Sequence, residues 1–100
     1  MFVILWEFLP AAGREKEFER AYGPDGDWAR FFRRDPAYVG TDLLRDTRDP
    51  RRFFTVDRWS SQAAFDEFAR REARGYRELD EKLAPLCGAE TRLGSFNTPG

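Results

Sequence analysis

The sequence predicts a single α+β domain whose elements follow the order strand, helices, strand, strand, helices, strand. Three observations support this prediction. Four short runs are rich in branched and aromatic residues, as strands are, and two charged stretches carry apolar residues at helical spacing. The length of 100 residues is close to the commonest size of one domain. We expect residues 1–96 to form this domain and the polar residues 97–100 to form a flexible C-terminal tail.

The first predicted strand, residues 2–9, presents two alternating sets of side chains, and both sets are mainly apolar. One set is Phe2, Ile4, Trp6 and Phe8, and the other is Val3, Leu5, Glu7 and Leu9. Two apolar faces indicate a strand that is covered on both sides. A shift of one residue exchanges the roles of Trp6 and Glu7, so the sequence leaves open which set faces the helices.

The first helical connection is predicted as a helix, a turn and a shorter helix. Phe18, Ala21 and Tyr22 have the spacing of one helix face. An Asp-Gly-Asp turn at residues 25–27 follows, and Asp27 is expected to cap the second helix. The turn superficially resembles a calcium loop, but the sequence lacks the further oxygen ligands and distal Glu of such a loop.

The second helical connection follows the third strand. A serine, Ser60 or Ser61, is expected to cap it, and the helical pattern is expected to be interrupted near Gly75. Its apolar residues again recur at helical spacing, so one face should pack on the sheet.

The remaining strands complete a ferredoxin-like βαββαβ plan with a four-stranded antiparallel sheet. Residues 38–46 and 52–59 should pair as a hairpin, and residues 89–96 form the last strand. If the helices cover one face of this sheet, the other face still carries an apolar set. We therefore expect a homodimer that pairs through the open sheet face.

Composition excludes several classes of partner and chemistry. The formal net charge is −1, so no basic field attracts nucleic acid or an anionic membrane. The apolar run at residues 2–9 is shorter than a membrane span and has no basic leader, which favours a cytoplasmic protein. Cys87 is the only cysteine, and histidine is absent, so the commonest zinc ligand and general base are both missing. We expect Cys87 to be a small buried thiol.

The chain resembles the antibiotic biosynthesis monooxygenase family of dimeric α+β barrels. The resemblance is carried by four segments, which are FVILWEF at residues 2–8, FERAYGPDGDW at 18–28, YVGTDLL at 38–44 and DRWSS at 57–61. It implies a homodimer with a small-molecule pocket between sheet and helices in each subunit. Some relatives oxidise aromatic polyketides without metal or flavin, so no cofactor is expected.

The resemblance also argues against the haem-degrading branch of these proteins. That branch uses an Asn late in the first strand, a Trp on the helix after the Trp-Ser motif and a His further along. The corresponding places hold Trp6, Phe68 and the stretch from Tyr76 to Glu78. A chain without histidine has no proximal haem ligand of that kind.

Without histidine, a general base must be a carboxylate or a tyrosine. Asp57 and Glu7 are the candidate catalytic residues, because each lies in an otherwise apolar strand where burial raises a carboxyl pKa. The alternative for each is a structural ion pair with an arginine or a place facing solvent. Arg58 could clamp an anion, but it points to the opposite face from Asp57.

Aromatic residues are the candidates for binding a planar ligand, and core packing is the alternative for each. The predicted substrate-binding set is Trp6, Tyr22, Trp28, Phe32, Trp59, Phe68 and Tyr76. Trp6, Tyr22 and Tyr76 are favoured, since Trp and Tyr add a polar tip to an apolar body.

Three functions are compatible with the predicted fold. A cofactor-independent monooxygenase acting on a small aromatic or quinol-like compound is the leading hypothesis, and a non-catalytic small-molecule-binding or assembly module is the main alternative. RNA-recognition domains share the strand order, and residues 52–59 are basic and aromatic. However, this segment lacks the glycines of that family's third-strand motif, and Asp57 opposes phosphate binding.

Overall fold

The computed structural model of the protein describes residues 1–99. Four strands and four α-helices follow the predicted order. They are β1 (Phe2–Pro10), α1 (Glu15–Tyr22), α2 (Asp27–Phe32), β2 (Tyr38–Arg45), β3 (Phe53–Trp59), α3 (Gln62–Arg71), α4 (Ala73–Leu83) and β4 (Cys87–Asn97), with a 3₁₀ turn (Ala84–Leu86) before β4.

The strands form one antiparallel sheet in the order β2-β3-β1-β4. The two central strands pair from Phe2 opposite Trp59 to Phe8 opposite Phe53. The pairing of β1 with β4 shifts register between Leu5 and Trp6, which marks a β-bulge. This strand order and the helices on one face confirm the predicted ferredoxin-like α+β fold.

The structure settles which face of β1 meets the helices. Phe2, Ile4 and Phe8 are buried against them, together with alternate residues of β3 such as Phe53 and Trp59. The helices contribute aromatic residues of their own, and the largest fully buried side chains are Trp59, Phe18 and Phe68. The helix-facing side is therefore an aromatic core.

Two local predictions about the helices were wrong, and one was confirmed. Gly26, not Asp27, occupies the N-cap position of α2, and the Asp27 carboxylate pairs with Arg30 at 3.3 Å. The interruption between α3 and α4 falls at Glu72, while Gly75 lies inside α4, where a Cβ would lie 3.1 Å from the ring of Phe31. Ser61 caps α3 as expected, accepting a hydrogen bond from the Ala64 amide at 3.1 Å.

The opposite face of the sheet carries apolar side chains that no helix covers. Leu5 lies opposite Val56 on this face, and Val3 lies opposite Phe96. Phe96 has 54% of its surface exposed, a large fraction for a phenyl side chain. Exposed apolar side chains on an uncovered sheet face are typical of a protein interface.

The domain boundaries stay a prediction. Strand β4 includes Asn97, which was assigned to the tail, and the Thr98 amide donates to the Met1 carbonyl at 2.9 Å. Gly100 lies outside the described residues. Among residues 1–99, the structure contains no helix long and apolar enough to cross a membrane.

The turn before α2 generates a stability prediction at Gly26. A Cβ at this position would overlap the carbonyl oxygens of Arg20 and Ala21, which are backbone atoms of α1 and cannot move aside cheaply. We expect Gly26→Ala to lower the free energy of unfolding by about 2–3 kcal/mol in urea titrations. Gly40→Ala is the matched control, because its added Cβ has no described atom within 4 Å apart from those of Gly40 and its two chain neighbours. Equal stability of the two variants would contradict this packing.

Candidate active site

A cavity of about 150 Å³ lies between the sheet and the helices. All four strands contribute to its floor, and α1, α2 and α4 form its walls. The lining residues are Trp6, Phe8, Tyr22, Trp28, Phe32, Thr41, Thr55, Asp57, Tyr76, Asp80 and Glu90. An apolar cavity of this size accommodates one aromatic ring.

Asp57 lies on the central strand β3, directly opposite Ile4 of β1 and Thr41 of β2. Alternation along β3 places it on the helix-facing side with Phe53 and Trp59, so the residue is only 9% exposed. No lysine or arginine within residues 1–99 forms an ion pair with it. Burial therefore raises the pKa of Asp57 to about 6, although a hydrogen bond from Thr41 opposes the shift.

Two hydroxyl groups hold the Asp57 carboxylate in place. The Thr41 hydroxyl donates to Asp57 Oδ1 at 2.6 Å, and Tyr38 and Thr41 share a hydrogen bond of 2.5 Å. When Asp57 is ionised, Thr41 must donate to it, so the phenol of Tyr38 donates to Thr41 Oγ1. This chain fixes one carboxylate oxygen and leaves the other without a partner among the described side chains.

Two tyrosines in the walls remain neutral phenols. Burial raises the pKa of Tyr76 to about 12, and the negative charge of Asp57 adds to the shift. Burial also raises the pKa of Tyr22 above its usual range. The indole Nε1 of Trp28 is buried and has no hydrogen-bond partner among residues 1–99. The two tyrosine hydroxyl groups of the cavity wall can thus donate to a ligand oxygen.

Another acidic group lies near the β4 side of the cavity. Burial and the nearby charge of Asp80 raise the pKa of Glu90. Glu90 lies opposite Phe8, whereas Asp57 lies opposite Ile4 across the other edge of β1. The two carboxyl groups, Asp57 and Glu90, therefore lie toward different ends of the cavity.

The only cysteine of the chain lies beside the cavity wall. The thiol of Cys87 donates to the Tyr22 hydroxyl at 3.3 Å, and burial raises the pKa of this half-buried thiol.

The structure brings most of the predicted aromatic residues together around the cavity. Five of the seven line it, namely Trp6, Tyr22, Trp28, Phe32 and Tyr76. Trp59 and Phe68 do not line it, because both are completely buried in the core beneath α3.

The two candidate catalytic carboxylates are separated by the sheet. Asp57 lines the cavity, while Glu7 lies on the opposite face and forms an ion pair with Arg52. Arg52 also binds Asp46 at 3.0 Å. Glu7 is thus part of a structural ion-pair network on the open face and has no place in the cavity.

Sequence reasoning did not identify five residues that line the cavity. They are Phe8, Thr41, Thr55, Asp80 and Glu90. Alternation with Asp57 along β3 is a signal that could have indicated Thr55, since residues two apart share a face. Asp80 and Glu90 lie in charged, exposed segments, and nothing in the local sequence separates them from ordinary surface carboxylates.

The structure thus combines a ferredoxin-like α+β sheet with an aromatic cavity beneath its helices and a buried carboxyl group on a central strand. The sequence profile of the family described as antibiotic biosynthesis monooxygenase matches residues 1–75, so the chain belongs to this family. This match confirms the resemblance predicted from the sequence. No curated protein sequence matches the chain significantly.

Solved structures share the fold at low sequence identity. A variant of SnoaB, a cofactor-independent oxygenase from Streptomyces nogalater, is 22% identical with a TM-score of 0.74, and the match covers 99% of this chain and 93% of that one. A Deinococcus radiodurans protein assigned to the antibiotic biosynthesis monooxygenases is 12% identical with a TM-score of 0.77, covering 100% and 94%. PA3566 from Pseudomonas aeruginosa is 15% identical with a TM-score of 0.67, covering 99% and 94%.

Metal ligands are not clustered in the described part of the chain. Residues 1–99 contain no group of three or more His, Cys, Asp or Glu side chains positioned to hold a metal ion.

The raised pKa of Asp57 generates a prediction about stability. A folded-state pKa of about 6, above the usual 3.8, means that the folded protein binds this proton more tightly than the unfolded chain. Burying the charge therefore costs stability as the pH rises from about 4 to 6, and the cost above pH 6 is roughly 3 kcal/mol. Asp57→Asn removes the charge and keeps the shape.

We expect Asp57→Asn to raise the free energy of unfolding by about 1–3 kcal/mol at pH 8 and to change it little at pH 4. Urea titrations at both pH values measure the difference. The control is Asp66→Asn, which alters an exposed carboxyl group on α3. If the Asp57→Asn variant were less stable than the parent at pH 8, other groups would have to stabilise the Asp57 charge, and the prediction would be contradicted.

Proposed function

We propose that the protein is a cofactor-independent monooxygenase that acts on a small aromatic or quinol-like compound, with Asp57 as the general base. The observation that carries the proposal is the unpaired, buried Asp57 carboxyl group in an aromatic cavity. Membership of the antibiotic biosynthesis monooxygenase family supports the reaction type. The match to SnoaB, a cofactor-independent oxygenase, is consistent with it at the level of fold.

The chemistry requires a substrate that becomes electron-rich when it loses a proton. In its keto tautomer, a quinol or hydroxyquinone has an enolisable ring CH₂ group, from which Asp57 removes a proton. The resulting anion reduces dioxygen and forms a C–O bond to it, and the proton on Asp57 passes to the peroxide to give a hydroperoxide. The hydroperoxide then loses the second ring hydrogen as its O–O bond breaks, giving a ring carbonyl and water. The balance is CH₂ plus O₂ to C=O plus H₂O, so the substrate itself supplies all the electrons.

The environment of Asp57 suits a base near neutral pH. A carboxyl group with a pKa of about 6 is ionised at pH 7 but is more basic than an exposed aspartate. Thr41 holds one of its oxygens, which leaves the other for the substrate proton. The neutral phenol of Tyr76, which lines the cavity, is a donor for the oxyanion that develops.

The aromatic walls favour a planar ligand. Trp28 packs against Phe32 with their ring centroids 5.6 Å apart and against Tyr76 at 5.1 Å, so these rings form a continuous wall on one side. Trp6 and Phe8 lie in β1 on the floor. Apolar walls also exclude water, which strengthens each electrostatic interaction with the reacting group.

We expect oxygen uptake with a panel of hydroxyquinones and hydroquinones to reveal turnover that rises with pH through about 6, as Asp57 ionises. Asp57→Asn should lower kcat by at least about 100-fold, because the base is lost. Glu7→Gln is the matched control, and it should leave kcat within about twofold since Glu7 lies across the sheet.

Oxygen consumption distinguishes this monooxygenase proposal from the alternative, a non-catalytic binding module. Such a module would bind aromatic compounds in the cavity without consuming oxygen above the rate of a protein-free sample. Full activity of Asp57→Asn would equally rule out the assignment of Asp57 as the base.

The same proposal includes a homodimer that pairs through the open sheet face. We also propose that the protein is cytoplasmic, where its single thiol stays reduced. Leu9, Leu44 and Phe96 are 42%, 49% and 54% exposed on or beside this face. Val56 lies at its centre, opposite both Leu5 and Asp42. Covering this surface with a second copy removes apolar area from water at roughly 25 cal/mol per Å².

We expect sedimentation at micromolar concentration to give about 23 kDa, twice the chain mass of 11.7 kDa. Val56→Lys should convert the protein to a folded monomer, because it places a charge at the centre of the interface. Ala63→Lys adds the same charge on the exposed side of α3 and should remain dimeric. A parent protein of monomer mass would refute the dimer.

A further inference from the structure

A second concave surface adjoins the cavity. This groove, of about 550 Å³, lies between α3, α4 and the β1–β4 edge, and it is open to solvent. Its lining residues are Ile4, Trp6, Phe65, Asp66, Ala69, Ala73, Tyr76, Arg77, Asp80 and Arg92. Trp6, Tyr76 and Asp80 line the cavity as well, so one ligand can occupy both spaces.

The charges of the two spaces differ. The cavity is lined by three carboxyl groups, those of Asp57, Asp80 and Glu90, and by no lysine or arginine. The groove adds two arginines, Arg77 from α4 and Arg92 from β4. A ligand that fills the cavity thus meets positive charge only where it extends into the groove.

Both arginines are free of partners in residues 1–99. Neither Arg77 nor Arg92 forms a salt bridge or a side-chain hydrogen bond there, although most other arginines of the chain do. Asp66 and Asp80 line the same groove, and neither of them pairs with the arginines. Arg92 is close enough for its charge to oppose the rise in the pKa of Tyr76. Two unpaired guanidinium groups beside a cavity are suited to a carboxylate.

We propose that the groove is the subsite for an anionic substituent, and that the substrate is an aromatic compound carrying a carboxylate. The ring occupies the cavity beside Asp57, and the carboxylate extends past Trp6 and Tyr76 to Arg77 and Arg92. This inference rests on the proposed function for the location of the ring and adds the chemical class of the substrate. It also explains how a cavity with three carboxyl groups accepts an electron-rich ligand, since the arginines offset their repulsion.

The experiment is anaerobic binding, followed by quenching of tryptophan fluorescence, with two probes that differ in one group. The probes are 1,4-dihydroxy-2-naphthoic acid and 1,4-dihydroxynaphthalene. Without oxygen no turnover occurs, so the readout is independent of catalysis. We expect the acid to bind about fivefold more tightly, because two solvent-exposed charge pairs contribute modestly to affinity.

The double variant Arg77→Gln, Arg92→Gln should bind both probes with the affinity that the parent has for the neutral probe. Arg48→Gln is the matched control, because it removes one exposed, unpaired arginine from the β2–β3 connection far from the groove. The preference for the acid should also decrease in 0.5 M salt, as expected for exposed charges.

Equal affinity of the parent protein for the two probes would overturn the anionic subsite. A double variant that weakens both probes equally would overturn it too, because the arginines would then act on the shape of the site. Discrimination without oxygen uptake would leave the subsite standing and remove the monooxygenase proposal. Oxygen uptake without discrimination between the probes would support the monooxygenase proposal and overturn the anionic subsite. If neither probe bound, both proposals would be overturned.

Discussion

Alternation of side chains along β1 and β3 is the constraint on which the rest of the molecule depends. With Phe2 opposite Trp59, the odd-numbered residues of β3 share the helix side with the even-numbered residues of β1. One register therefore places Asp57 in an aromatic cavity and leaves Glu7 on the open face. A slip of one residue would exchange these environments and expose the aromatic core.

The same constraint buries the charge of Asp57, which lowers the stability of the folded state. An unpaired carboxylate in an apolar core destabilises the folded state, and an isosteric amide or an apolar residue at this position would avoid that cost. The hydrogen bond from Thr41, supported by Tyr38, offsets only part of it, since the pKa of Asp57 stays raised. Destabilising groups of this kind cluster at functional sites, which distinguishes Asp57 from the ion-paired carboxylates on the surface.

The fold was predictable from the sequence because strand composition, helical spacing and turn residues all indicate the same order of elements. The environment of each strand face was not predictable. Both faces of β1 are apolar, so periodicity cannot show which face meets the helices. Glu7 and Asp57 look equivalent for this reason. Their difference lies in Arg52, which pairs with Glu7 on the open face and follows it by 45 positions in the chain. Trp59 and Trp6 likewise both lie on the helix-facing side. Trp59 is completely buried in the core, whereas Trp6 lines the cavity.

The charged residues of the cavity that the sequence did not predict come from α4 and β4. Glu90 and Asp80 are exposed residues of charged segments, and only the pairing of β4 with β1 brings Glu90 beside Phe8. Arg92 reaches the groove through the same pairing, opposite Trp6. The edge strand β4 thus supplies a carboxyl group to the cavity and a guanidinium group to the adjoining groove. In the proposed binding mode, a ligand anchored there by its charge has its ring directed toward Asp57, the one carboxyl group among the described lining residues of the cavity that is buried.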